Sequence, residues 1–409
     1  MVRQDVVRGV VVGGLTTPGP ARHPADGHAG TGLRGGAGID VGTGTETGTE
    51  TGTGTEADIV IVGAGIVGCL TAREALARFP GASIAVVERD AVAGGASRRS
   101  AGLHFPRGSS APVRRMAAFS ERYYRTLKDE DPHLPIHGLN TTVVASTARA
   151  GELTEHYLPD RLRRTDEPPH GPTGRLRIPA GTGAWQADGG QHADVSALAQ
   201  RLAARLRPAV RFLEGTRVLT VDSRPGRVGL TLSSGATLTA SKVLLAPGPW
   251  LAEPAWRPWT AGLGLRVKKV VALHVERQPR PTDGAIVFED DDAFLLPVHH
   301  RGHWLFSYTC PQWDVAPDGT EHHLTPVELA EARSVLDRFA PELVPLCTTG
   351  RVFCDAYSPD RVPVVRPVDD DKNVIFAGAA NGSGYRLAPA IAADAARLLC
   401  PTTVPRSHP

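Results

Sequence analysis

The 409 residues allow about two to three domains, and 41% hydrophobic with 22% charged residues suit a chain with a sizeable core. A net charge of +2 removes the electrostatic case for nucleic acid or an anionic membrane surface, and no apolar run nears the roughly 20 residues that a spanning helix needs. Cys69, Cys310, Cys347, Cys354 and Cys400 are scattered, odd in number and without C-x-x-C spacing, which suits reduced thiols in a cytoplasm better than disulfides or a zinc site.

Residues 1 to 56 are rich in Gly, Thr, Pro and Ala, so they cannot bury enough apolar surface to offset ordering entropy, and the expectation is a disordered tail. The stretch that follows organises the chain. Asp58-Ile59-Val60-Ile61-Val62 reads as a strand buried on both faces, and Gly63-Ala64-Gly65-Ile66-Val67-Gly68 as a glycine turn opening a helix. Gly63 permits the tight turn, Gly65 lets backbone approach a pyrophosphate, and Gly68 lets helix and strand pack closely. The helix N-terminus directs free N–H groups and a positive dipole end at phosphates. Ala85-Val86-Val87-Glu88-Arg89 supplies the second strand and, 25 positions after Gly63, a carboxylate for ribose hydroxyls. An acid there disfavours a 2′-phosphate and hence NADP, while FAD and NAD both stay open.

Gly94-Gly95-Ala96-Ser97-Arg98-Arg99-Ser100-Ala101-Gly102-Leu103-His104 is a run of small and hydroxyl residues through which backbone can approach the same cofactor. Pro112 to Leu127 has apolar residues at helical spacing, so Tyr123 and Tyr124 read as core. Residues 134 to 178 are rich in Pro, His and Arg, with one expected strand at Thr141 to Ala145. A strong helix is expected from Val195 to Arg207, then strands at Val210 to Leu213, Thr216 to Asp222 and Gly229 to Leu232, and another from Lys242 that ends at Ala246-Pro247-Gly248-Pro249-Trp250. Residues 263 to 310 read as β-rich with one wet face. His299-His300 and His322-His323 would point to opposite faces of a strand, which argues against a shared metal. Pro326 to Phe339 reads as an amphipathic helix. The last segment, Asn373 to Arg386 before the helical run Leu387 to Leu399, repeats the opening pattern of strand, Gly-rich loop and helix N-terminus. Arg386 in that first turn opposes the helix dipole, so an anion, most simply a substrate carboxylate, is expected beside it.

Four segments in this order resemble the D-amino-acid oxidase-like (DAO) family of FAD-dependent oxidoreductases, the relatives of glycine oxidase and sarcosine oxidase. They are the glycine motif with Glu88; Gly94 to Gly102; Ala246 to Trp250; and Ser358-Pro359-Asp360-Arg361-Val362-Pro363-Val364-Val365 with Gly378 to Arg386. The resemblance implies an α/β (α+β) fold of the glutathione-reductase type, a Rossmann-like FAD-binding domain (57–135, 185–262 and 350–400) interleaved with a β-sheet substrate domain (136–184 and 263–349). It implies FAD on Gly63, Gly65, Ile66, Val67 and Gly68, with Glu88 and Arg89 at the ribose end and Val218 by backbone near the adenine. Ala96, Ser97, Arg98, Ser100, Ala101 and Gly102 would follow the pyrophosphate and ring; Ala246, Gly248 and Trp250, and Gly378, Gly382, Ser383, Gly384, Tyr385 and Arg386, would complete the cofactor site. Two departures stand out. The lysine that sarcosine-oxidase-like members hold over the flavin is absent near Trp304-Leu305-Phe306-Ser307, and Cys354 is one residue out of register for a covalent flavin bond.

The activity so implied is oxidation of the C–N bond of a small amine or amino acid by hydride transfer to flavin N5, giving an imine, with O2 or another acceptor reoxidising the flavin. Arg386 would grip a carboxylate, and His104, Tyr308, Tyr357 and Tyr385 are candidates to orient the amine or take its proton. The nearest rival is oxidation of a 2-hydroxy acid or polyol C–O bond, with His104 as base. Gly378-Ala379 in place of Gly-Asp counts against an aromatic hydroxylase, and a non-catalytic flavin-binding protein is the alternative from another class.

Overall fold

The computed structural model describes residues 55–401 except 177 and 320–322. The expected tail up to residue 54 and His322 lie outside the described residues. Thr55 and Glu56, assigned to that tail, already belong to the opening strand Thr55–Val62, because the neighbouring strand Thr237–Leu245 reaches back to pair with them.

That opening strand is central to an eight-stranded sheet. It pairs in parallel with Ile84–Val87 and with Thr237–Leu245. Val210–Leu213 extends one edge in parallel, and Val374–Gly378 joins the C-terminal half of Thr237–Leu245. Ile59 and Ile61 feed the core beneath the first helix, Ile66–Arg78, while Val60 and Val62 feed the core on the other face. All four are no more than 5% exposed. Full burial of each side chain stabilises the fold by about 1.5–3 kcal/mol. This two-sided burial is why the strand reads as an unbroken apolar run.

A second eight-stranded sheet runs in the order Thr349–Tyr357, Arg266–Val275, His303–Tyr308, Ala293–Val298, Ala285–Phe288, Thr141–Ser146, Thr182–Ala187 and Leu162–Thr165. It is mostly antiparallel, with the helix Pro326–Asp337 against one face. His299 and His300 do not lie on a strand: His299–Arg301 is a single 3₁₀ turn. His300 stacks on His192 with ring centroids 5.3 Å apart and lies 3.3 Å from the Asp194 carboxylate.

The helix Ala111–Glu130 packs on the last helix, Gly384–Leu398, which begins three residues earlier than its apolar run suggests. Pro389 inside that helix has no N–H to give to the Tyr385 carbonyl four residues back. The Tyr124 hydroxyl donates to that carbonyl instead, at 2.6 Å. A core tyrosine thereby satisfies the acceptor that proline orphans and locks the two helices together. No helix among the described residues is long and apolar enough to cross a membrane.

Candidate functional site

One cavity of about 1200 Å³ runs along the C-terminal ends of the parallel strands and continues under the second sheet. Its floor is backbone. Gly63 has φ +102°, and a Cβ there would sit 2.4 Å from the Ala246 carbonyl oxygen, so only glycine lets the two strand ends meet. Gly68 is tighter still, since a Cβ would lie 1.9 Å from the Gly63 oxygen. The Ala64 N–H donates to Glu88 Oε2 at 2.7 Å and the Ile66 N–H to Ser97 Oγ at 3.0 Å, which ties the turn to the second strand and to the Gly94–Gly102 run. Burial raises the Glu88 pKa, while hydrogen bonds from the Asp90 and Ala64 N–H groups work against it. Farther out, the Arg89 guanidinium lies 4.5 Å over the Trp250 ring, and both donate to Asp318, at 2.9 and 2.7 Å.

Most of the residues expected at a cofactor line this cavity: Gly63, Gly65, Ile66, Val67, Glu88 and Arg89 at one end, then Ala96, Ser97, Ser100, Ala101 and Gly102. Val218, Ala246, Gly248 and Trp250 line it too, as do Gly378 and Gly382 through Arg386. Three expectations are corrected. Arg98 is exposed and faces a separate small pocket, because the short helical turn Ala96–Arg99 presents Arg99 to the cavity instead. Gly68 lies behind the wall, and its work is packing helix on strand. His104 is fully buried off the cavity, edge-on to Tyr124 at 6.2 Å. Neither His104 ring nitrogen has a hydrogen-bond partner of normal geometry. Burial, then the charge of Arg386, lowers its pKa to about 3, with the Arg386 backbone acting weakly in the other direction. It is a neutral core imidazole at physiological pH and not a base facing substrate.

The far end of the cavity is built from side chains. Arg386 is 8% exposed, in the first turn of the last helix. Its Nη2 donates to Ser383 Oγ, its guanidinium lies 4.8 Å over the Phe105 ring, and its Nε has no partner. Burial, then repulsion from Arg107, lowers its pKa to about 10. No carboxylate among the described residues lies within ion-pair distance of it, whereas Arg107 is paired with Glu289 at 2.6 Å and Glu289 also accepts from Tyr157 at 3.1 Å. Tyr308, Tyr357 and Tyr385 all face the cavity, and burial raises the pKa of each far above the usual phenol value. The Tyr308 hydroxyl donates to Glu331 at 3.2 Å, and Tyr385 stacks on Tyr124 at 4.6 Å.

Sequence reasoning missed several groups here. Lys268 and Lys269 enter from the strand Arg266–Val275, antiparallel to the strand in which a lysine was sought. Lys269 is spent on a buried ion pair with Glu328 at 2.5 Å. Lys268 sits 5.0 Å from the Trp313 ring and 5.6 Å from the Tyr357 ring, with no acid in ion-pair range among the described residues. Two consecutive lysines in an apolar strand were the available signal, since alternation forces one of them toward a buried face. Asp355 lines the cavity, accepting from the Gly382 N–H at 3.0 Å, and burial raises its pKa to about 6. Its neighbour Cys354 does not line the cavity.

A glycine turn that a Cβ would fill, a helix N-terminus above it, an acid at the second strand and a cavity larger than most small-molecule pockets define a dinucleotide-binding protein. The chain belongs to the DAO family of FAD-dependent oxidoreductases, whose family model matches residues 58–398. FAD is therefore the cofactor, and the bare backbone at Gly63 and Gly65 with the acid at Glu88 fits it. Among solved structures, an L-proline dehydrogenase from P. horikoshii is similar with a TM-score of 0.71 at 18% identity, covering 86% of this chain and 96% of that one. Glycine oxidase from Geobacillus kaustophilus gives 0.69 at 19% identity, covering 84% and 95%. NikD, an unusual amino acid oxidase essential for nikkomycin biosynthesis, gives 0.69 at 17%, covering 86% and 96%. These likenesses establish the shared fold. No curated protein matches the sequence.

Proposed function

We propose that this enzyme oxidises the C–N bond of a small amine or amino acid that carries a carboxylate. The observation that carries the reading is Arg386, a buried guanidinium on the cavity wall with no acidic partner in ion-pair range. Burying a lone cation is costly, so the site favours a ligand that brings its own anion. The structural neighbours named above act on amino acids or are named for them, which supports the same reading.

When bound, FAD supplies the two-electron acceptor. The chain's own residues supply position. Arg386 binds the carboxylate in a two-pronged contact, Ser383 fixes the guanidinium, and the Phe105 ring shields the pair from water. Tyr157 and Arg107 occupy both oxygens of Glu289, so that acid cannot compete for Arg386. The substrate would give up one ammonium proton to water and its Cα hydride to the two-electron acceptor, leave as an iminium that water hydrolyses, and O2 or another acceptor would take the electrons. The C–O rival loses its assigned base, because His104 is buried away from the cavity.

The test is anaerobic bleaching of the purified flavoprotein by separate pools of D- and L-amino acids, N-methyl amino acids and 2-hydroxy acids. Bleaching by an amine pool is expected. Arg386→Ala is expected to lower kcat/KM for that substrate about 30- to 1000-fold, the loss typical of a buried charged contact. Bleaching by hydroxy acids alone would overturn the reading.

A further inference from the structure

We propose that Asp292 binds the substrate's amino group, so that a zwitterion spans Asp292 and Arg386 and amino acids are selected over 2-hydroxy acids. This rests on the reading of Arg386 above.

Four acids stand in a row at the turn after the strand Ala285–Phe288, and three are already engaged. Glu289 holds Arg107 and Tyr157. Asp290 holds Arg149 at 3.0 Å and the Ser146 N–H at 2.6 Å. Asp291 holds Arg338 at 2.6 Å. Asp292 alone makes no ion pair within 4.0 Å among the described residues, yet it lines the cavity and is an exposed residue. Its Oδ2 accepts from Thr309 Oγ1, which fixes the carboxylate in place.

The backbone at Asp292 is left-handed, φ +47°. Asp292 closes the 3₁₀ turn Glu289–Asp291, a position where aspartate readily takes that conformation. The carboxylate is near enough to influence Arg386, Arg107 and Lys268 electrostatically, yet it touches none of them. An unpaired buried cation and an unpaired carboxylate on one cavity, close but not in contact, complement a ligand with both charges. A 2-hydroxy acid offers no cation to Asp292 and places its carboxylate in the field of a second one.

The experiment uses the flavin-loaded enzyme and two ligands of one skeleton, the amino acid that bleaches fastest and its deaminated carboxylate. Kd for the first comes from the anaerobic bleaching rate and for the second from perturbation of flavin absorbance. Asp292→Asn is expected to raise the amino-acid Kd at least 10-fold and leave the plain carboxylate unchanged or a few-fold tighter. Asparagine tolerates the left-handed backbone. Asp292→Gly, which also relieves it, is expected to show the same selective loss. An amino-acid Kd within twofold of wild type, or equal weakening of both ligands, overturns the inference. Arg386→Ala separates the two levels. If it weakens both ligands while Asp292→Asn changes neither, only the role of Asp292 falls. If it weakens neither, both readings fall.

Discussion

The two ends of the cavity are made of different material. At the glycine end the surface is largely backbone, and most of it comes from near neighbours in sequence, Gly63, Gly65, Glu88 and the run from Gly95 to Gly102, closed from farther along the chain by Ala246 to Gly248. At the Arg386 end the surface is side chains brought from positions 105, 107, 268, 289, 292 and 386 by one strand, one helix, a loop and a turn. A backbone site fails when a methyl group is added, because the atom it strikes cannot move. A side-chain site tolerates changes of shape and fails when a charge loses its partner. The comparison predicts which substitutions destroy the protein and which leave it folded but altered.

The largest effect is expected at Gly68→Ala, where the new Cβ would lie 1.9 Å from the Gly63 carbonyl oxygen. The strand and helix must separate, at a cost on the order of 4 kcal/mol or more. Protein recovered without flavin and with a sharply lowered Tm is the expected outcome. Gly65→Ala is the control, since its Cβ meets only the Ser97 hydroxyl, at 3.2 Å. That variant is expected to fold and to bind FAD more weakly, measured as flavin content after dialysis. Equal Tm values for the two variants would break the claim that rigid backbone sets the cost.

At the other end, Lys269→Met is expected to destabilise by about 3–5 kcal/mol, because Glu328, 1% exposed, keeps its charge without a counter-ion. Adding Glu328→Gln removes that charge and retains the reciprocal cap with Thr325. The double variant is expected to recover most of the loss in urea unfolding. A double variant as unstable as the single one would mean that Lys269 acts through packing, not charge.

The same division explains what the sequence made legible. The opening strand, its turn and the acid 25 residues on obey local rules of period, glycine placement and spacing. Each rule concerns atoms within one β-α-β unit, and the fold places them as read. Arg386 was found because its loop repeats that unit. Lys268 and Asp292 were not, because their meaning depends on pairing between strands far apart in sequence and on which neighbouring acids are already taken. His104 was misread for the complementary reason. Its position after the Gly94–Gly102 run suggested the ring, but the strand Leu103–His104 alternates, and its pairing with Gln191–Ala193 turns Leu103 to the cavity and His104 to the core.

His104 also provides the smallest and most discriminating test. In the unfolded chain its imidazole takes a proton near pH 6.5, but in the fold only near pH 3. Between those values the unfolded state binds more protons, so stability is complete above about pH 6.5 and falls as pH drops toward 3. His192, also lowered to about 3 by burial and then by His300, adds to the same slope. His274, lowered to about 4, contributes as well; His104→Leu removes one of these contributions and deletes two ring nitrogens without a hydrogen-bond partner of normal geometry, so its cost at pH 8 is expected to be small. Its unfolding free energy should fall less steeply between pH 6.5 and 4 than that of the wild type, by a margin on the order of 1–3 kcal/mol across the window, read from urea unfolding. The acid limb of kcat against pH should stay where it is. If that limb vanishes instead, His104 exchanges protons with substrate, and the side-chain end of the cavity reaches deeper than its walls indicate.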